Sequence, residues 1–315
     1  MAELNKYLKL FYRRQTLVGF GRQFNSWIRH QKAFVRSQRE SSVIRNPLPY
    51  AVDDLYDKVH RESSPVFVLS TGRCGTKLLT VLFELSSATS AHHFLYPEMA
   101  YHSGYAYRNQ NSHKVLKQIA DACRYEYIRD AFIMNKSYIE TNSRITFFAP
   151  QLAELFPGSK FIHLIRPLIP FVQSGYSRNY YSYERIFDEG RITPLNERIP
   201  FDRYSQLDKI TWLWCETNVF IHQFFSRLSE KRKLFVSSND LFNQPETVVN
   251  IFRLIDVPCP SVSKIRKKIG APVNVLPASK RKELSAQDIS GIISFARAFS
   301  LPYGEAGVPD YFPIE

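Results

Sequence analysis

Eight consecutive residues have the composition of an anion grip: Ser70-Thr71-Gly72-Arg73-Cys74-Gly75-Thr76-Lys77. They lie between an apolar run and a stretch with helical spacing. A loop feeding a helix N-terminus offers unpaired backbone N–H groups and the positive end of the helix dipole. Gly72 and Gly75 let the backbone approach a ligand closely. Arg73 and Lys77 add fixed charge, and Ser70, Thr71 and Thr76 add hydroxyls. A second grip is expected at Arg166, directly after the apolar run Phe161–Ile165, with Ser174 eight residues later. The guanidinium fork presents paired donors to phosphate oxygens. The first loop is not a Walker A motif, since its glycines read G-x-x-G before Thr76-Lys77. A metal-dependent nucleotide site also wants an acidic residue at the neighbouring strand end, and Arg166 stands there instead.

Positioning two such grips takes parallel strands that end side by side. Pro65–Leu69 and Lys160–Ile165 are apolar without alternation, as strands buried on both faces are. Shorter strands are predicted at 137–140 and 234–237. Between them helices are predicted at 77–85, near 112–129, at 149–155, from Pro170 to about 183, at 207–228 and at 245–255, with a long polar loop at 184–205. Strands alternating with helices imply an α/β fold, a parallel β-sheet flanked by helices. Ligands bind such sheets at the carboxyl ends of the strands, where both grips lie.

Thr71–Thr76 resembles the 5′-phosphosulfate loop of sulfotransferases that use 3′-phosphoadenosine-5′-phosphosulfate (PAPS). Lys160–Ser174 resembles their 3′-phosphate motif, in which a strand ends in Arg and a Ser follows eight residues later. Trp212–Asn218 and Ser238-Asn239-Asp240-Leu241 are lesser similarities, the latter with Asn in place of the family's Glu. The resemblance covers roughly 65–260. It implies the P-loop-NTPase-like sulfotransferase fold and transfer of a sulfuryl group from PAPS to an acceptor hydroxyl, leaving 3′,5′-ADP (PAP). It places Thr71, Gly72, Arg73, Cys74, Gly75, Thr76 and Lys77 on the 5′-phosphosulfate, and Arg166 and Ser174 on the 3′-phosphate. Arg73 and Lys77 would also act in catalysis, on the bridging oxygen. Lys280 and Arg281 are left as candidates to cover the nucleotide.

In-line sulfuryl transfer also needs a base for the acceptor proton. Glu98, in Tyr96-Pro97-Glu98-Met99, lies in the segment where the resemblance puts the base of several carbohydrate-acting members. His92 and His93 are alternatives, because an imidazole needs no perturbation for the task. Glu140, in Glu140-Thr141, stands where the family often has Glu-Lys, and is a base or an orienting or structural carboxylate. His163, inside a strand, reads as a core imidazole. Tyr101, Tyr105 and Tyr107, or Tyr176, Tyr180, Tyr181 and Tyr183, could stack on an acceptor. A carbohydrate, glycolipid or other small metabolite is the acceptor expected.

Forty-two Lys and Arg against 29 Asp and Glu give a net charge of +13, which favours an anionic partner without choosing one. No zinc finger, helix-turn-helix or RNA-binding signature is visible, so nucleic acid is not expected. The four cysteines are widely spaced and form no C-x-x-C pair, and no metal cluster is expected. No apolar run approaches the ~20 residues that span a bilayer, and charges interrupt the N-terminus where a signal peptide would be apolar. A cytoplasmic protein follows as the expectation. Residues 1–45 carry ten Lys and Arg against two Glu, with Leu4, Leu8, Phe11, Leu17, Phe20, Phe24, Trp27 and Ile28 at helical spacing. They read as a basic amphipathic helical appendage in a segment 1–60, ahead of the main domain 61–315. It would pack on that domain or on a second subunit, a homo-oligomer, or lie on the inner membrane face. The rival functions are a nucleotide-dependent kinase or NTPase of related fold, and a non-catalytic anion-binding protein.

Overall fold

The computed structural model describes residues 52–182, 191–194, 200–271, 276–299 and 312–313. The expected amphipathic helices at 1–45 and most of the 184–205 loop lie outside them. The chain divides into two compact units, Met1–Leu55 and Tyr56–Glu315; the second carries the sheet and the site described below.

Five parallel strands form one sheet: β1 (Val66–Leu69), β2 (Thr89–His92), β3 (Ser137–Glu140), β4 (Lys160–Ile165) and β5 (Lys233–Ser237), in the order β2-β3-β1-β4-β5. The helices are α1 (Val52–Glu62), α2 (Thr76–Phe83), α3 (Ala100–Arg108), α4 (His113–Ile133), α5 (Ala149–Leu155), α6 (Leu168–Tyr176), α7 (Gln206–Ser226), α8 (Ser238–Asn243), α9 (Pro245–Ile255), α10 (Val262–Ile269) and α11 (Ala286–Ala298). The predicted α/β architecture is therefore the observed one.

Alternation along the central strands divides the core. Val66, Val68, Ile162 and Leu164 point to the face covered by Leu78, Leu79, Leu82 and Phe83 of α2 and by Val248, Ile251, Phe252 and Ile255 of α9. Phe67 and Phe161 point to the other face, their ring centroids 5.7 Å apart, and Phe161 meets Phe224 of α7 edge-on at 4.9 Å. α7 starts at a capping box, Ser205 with Asp208, the S-x-x-D pattern that satisfies two orphan donors.

The strand order fixes the site. The chain leaves β1 towards β2 on one side, and leaves β4 towards β5 on the other. β1 and β4 are neighbours, paired from Val66↔Lys160 to Leu69↔His163. The crevice between their carboxyl ends is thus a topological switch point.

α6 stops at Tyr176, short of the predicted 183, because Asn179 and Tyr181 take left-handed φ values of 54° and 57°. Tyr180 and Tyr181 are buried. Tyr107 is buried as well, its hydroxyl donating to Glu216 Oε1 at 2.8 Å. Of the described tyrosines expected to meet an acceptor, only Tyr101 and Tyr105 are well exposed. Among the described residues no helix is long and apolar enough to cross a membrane.

Candidate active site

The loop after β1 is shaped by its own residues. The Ser70 N–H donates to Thr146 Oγ1 and the Thr146 hydroxyl donates back to the Ser70 carbonyl, both at 3.1 Å. The Gly72 N–H donates to Ser70 Oγ at 3.1 Å, and the Cys74 thiol donates to the Gly72 carbonyl at 3.0 Å. Gly72, Arg73 and Gly75 have φ values of 76°, 61° and 96°. A side chain at Gly75 would place its Cβ 2.9 Å from Phe242 Cζ, so the turn needs glycine there for conformation and for space. Arg73 holds the left-handed conformation without that licence, which marks a constrained position. Gly75 caps α2 with no side-chain acceptor. The first N–H groups of the helix therefore rely on something other than a side-chain cap.

Arg166, one residue beyond β4, reaches across the crevice. Its Nη1 donates to the Arg73 carbonyl at 2.9 Å. Its own carbonyl accepts from Trp214 Nε1 at 2.8 Å, which pins the strand end to α7. Burial first, and the like charge of Arg73, push the Arg166 guanidinium below its ordinary value, and a guanidinium stays charged through such a shift.

The two segments open onto one groove of about 500 Å³. Arg73, Gly75, Thr76 and Lys77 line one wall, and Arg166, Gln173, Ser174 and Arg178 line the next. Phe242, Ile269–Ala271, Leu276 and Arg281 close it. Thr71, Gly72 and Cys74 hold the loop's shape instead of facing the space. The Cys74 thiol is buried and pushed up to about 11 by desolvation, so it stays neutral. Five cationic side chains line the groove and, among its described lining residues, no Asp or Glu does. Arg73 Nε is buried without a hydrogen-bond acceptor. A donor-rich cleft with no carboxylate among its described lining residues fits an anionic ligand.

Arg178 and Gln173 were not singled out in the sequence. Arg178 Nη1 donates to Ser174 Oγ at 2.8 Å. The available signal was its spacing, four residues beyond Ser174; Arg178 lies just past the end of α6 and its side chain turns back to Ser174. Arg281 is carried on a segment tied to the end of α6: the Lys282 N–H donates to Ser177 Oγ at 2.9 Å and Lys282 Nζ to Asn179 Oδ1 at 2.7 Å.

The four base candidates separate sharply. His93 lines the groove beside Lys77 and Arg73. Desolvation, then the charge of Lys77 and that of Arg73, push its pKa down to about 4 against the opposing effect of Thr141. The ring is therefore neutral at pH 7. His92 points elsewhere, with Nε2 2.9 Å from Ser90 Oγ. Glu98 is half exposed and outside the groove lining, its Oε2 paired with Arg144 Nη1 at 3.0 Å. Glu140 is fully buried away from the groove. It accepts from Arg124 Nε and Nη2 at 2.7 and 2.8 Å and from the Tyr138 hydroxyl at 2.9 Å. That saturation makes Glu140 a brace between β3 and α4, and corrects its reading as a base. His163 is a core imidazole, 3.0 Å from Asn218 Oδ1. Among the described residues no group of three or more His, Cys, Asp and Glu is placed to hold a metal ion.

No protein-family model matches the chain, and no curated protein matches it. Several solved structures are similar to it. The sulfotransferase domain from the curacin biosynthetic pathway is 14% identical over 78% of this chain and 94% of that one, with a TM-score of 0.47. The sulfotransferase domain from the Synechococcus PCC 7002 olefin synthase is 15% identical over 78% and 92%, TM-score 0.46. A sulfotransferase from Alicyclobacillus acidocaldarius is 12% identical over 74% and 90%, TM-score 0.46. The likeness is one of chain fold.

Proposed function

We propose that this protein is a sulfotransferase, moving a sulfuryl group from PAPS to a hydroxyl of a carbohydrate, glycolipid or other small metabolite. One observation carries the reading. The Arg166 guanidinium meets the Arg73 carbonyl, so the two anion grips share a single groove with no carboxylate among its described lining residues.

In this reading Arg73, Lys77 and the N–H groups at the start of α2 bind the 5′-phosphosulfate. Arg166, Ser174 and Arg178 bind the 3′-phosphate, the feature that separates PAPS from ATP. Charge that develops on the leaving bridging oxygen is met by Arg73, half-buried, and Lys77, exposed, both already in place. His93, neutral and beside both cations, takes the acceptor proton at its Nε2. Phe94, whose ring lies 4.3 Å from that of His93, is exposed, as are Tyr96, Tyr101 and Tyr105 on the segment that follows. These rings offer an acceptor the amphipathic faces on which sugars stack.

Retention on immobilised 3′,5′-ADP, with elution by free 3′,5′-ADP and not by ATP, tests donor recognition. Incubation with ³⁵S-labelled PAPS and a carbohydrate and glycolipid extract tests transfer. Elution by ATP with Mg²⁺, together with no transfer of label, would replace this reading with a kinase-type one.

A further inference from the structure

His93 can take a proton at Nε2 only as the tautomer that carries its own proton on Nδ1. Histidine in water prefers the opposite arrangement, so something must hold the ring in the less favoured form. Which nitrogen is protonated is set by the hydrogen bond the other one makes.

A chain of contacts under the groove does this. His93 Nδ1 lies 3.0 Å from Thr141 Oγ1. Thr141 Oγ1 lies 2.7 Å from Thr80 Oγ1. The Thr80 hydroxyl donates to the Thr76 carbonyl at 3.0 Å. With its proton on that carbonyl, Thr80 Oγ1 accepts from Thr141; the reverse order, Thr80 donating to Thr141 and Thr141 to Nδ1, would take this donor from the Thr76 carbonyl and put the ring proton on Nε2. The single Thr141 proton is then committed, and its oxygen accepts from His93 Nδ1–H. The weaker alternative for Thr141, its contact with the His92 carbonyl at 3.4 Å, gives the same answer at His93. Thr141 is fully buried and Thr80 nearly so, out of reach of water that could substitute. The Thr141 N–H also donates to the His92 carbonyl at 2.9 Å, which fixes the backbone from which His93 projects.

We propose that Thr141 and Thr80 are positioning residues that lock His93 as the Nδ1–H tautomer, turning the Nε2 lone pair to the groove. The functional half of the inference rests on His93 being the base of the proposed reaction; the structural half does not. The chain of hydroxyls ends on Thr76, the first residue of α2 and part of the anion loop, so the base and the 5′-end grip share one rigid support.

The test has two arms. In ¹⁵N-histidine-labelled protein at pH 7, with His93 assigned by comparison with His93→Asn, the Nδ1 shift of the wild type should be that of a protonated nitrogen and Nε2 that of a bare one. A wild-type ring protonated on Nε2 overturns the lock without any variant having to fold. In kinetics, Thr141→Val should lower kcat by about 10–100-fold, a part of the roughly 10²–10⁴-fold that a positioned base supplies. KM for the acceptor and Kd for 3′,5′-ADP should stay within about 2-fold, and Thr141→Ser, which keeps the hydroxyl, should recover most of the loss. A Thr141→Val enzyme with wild-type kcat, or a Thr141→Ser enzyme as slow as Thr141→Val, overturns the positioning role. A wild-type protein that binds no 3′,5′-ADP overturns the sulfotransferase reading instead, and the nitrogen shifts still decide the tautomer.

Discussion

Arg166→Ala separates the two ends of the proposed donor. The backbone at this position is held independently of its side chain, by Trp214 Nε1 donating to the Arg166 carbonyl, so the change is local. Two things are lost. One is the bond to the Arg73 carbonyl at 2.9 Å; leaving that acceptor without its donor costs about 1–3 kcal/mol of stability. The other is the charged hydrogen bonding that the rest of the fork offers a phosphate, worth about 1.5–3 kcal/mol, or a factor of roughly 10–150 in Kd. Titration calorimetry with 3′,5′-ADP should therefore show that weakening. Titration with 5′-AMP, which lacks the 3′-phosphate, should show less than about 5-fold, owing only to the loosened Arg73 loop. Arg166→Lys should fall between, since it restores charge without the paired geometry. Both ligands must be compared at one ionic strength, because screening alters every term. Unchanged affinity for 3′,5′-ADP, or equal losses for the two ligands, would refute the assignment of Arg166 to the second phosphate.

His93→Asn should cut turnover by about 10²–10⁴-fold with 3′,5′-ADP affinity retained, while Glu98→Gln should stay within several-fold of wild type; a reversal of that order, read in initial rates, would return the proton to Glu98. Arg124→Ala should lower stability by about 3–5 kcal/mol in urea titrations, because it strands the buried Glu140 carboxylate; a loss below about 1 kcal/mol would show that the brace carries no load. His163, buried and pushed down from 6.5 to about 4 by desolvation against the opposing bond to Asn218, takes up its proton more readily in the unfolded chain. The stability it confers is complete above about pH 6.5 and is lost as pH falls towards 4, on the order of 3 kcal/mol in all. His163→Gln should flatten that part of the stability–pH curve, and an unaltered slope would falsify the assignment.

The sequence revealed the parts of the fold that are buried on both sides. β1 and β4 are short apolar runs because helices cover both their faces, and the residues that follow them are the anion grips. β2 was not legible: Thr89-Ser90-Ala91-His92 is an edge strand of small and polar residues, with one face half open. α3 starts without a side-chain cap and has weak amphipathic spacing, so nothing announced it. The base could not be chosen from sequence for a related reason. His93 and Glu98 are five residues apart, yet one is held into the groove by Thr141 and the other is turned outward by Arg144. Thr141 and Arg144 are distant in sequence from both, so the choice is made by tertiary contacts. Glu140 misled in the same way, since Arg124 and Tyr138 consume its lone pairs only after β3 has packed on α4.

The charges that would bind the donor also govern when the base is ready. In the groove alone, Lys77 and Arg73 add to desolvation in keeping His93 unprotonated and weakly basic. In the proposed reaction an anionic phosphosulfate seated on those two cations would oppose their effect on the ring, so the basicity of Nε2 would rise with the donor in place. Proton acceptance would thereby be tied to donor binding through charge. The tautomer is a separate matter and must be fixed beforehand, because donor charge favours protonating the ring without saying at which nitrogen. In the proposed lock Thr141 supplies that second condition through its contact with Nδ1. Electrostatics then set how strongly His93 draws a proton, and the buried hydroxyls set where.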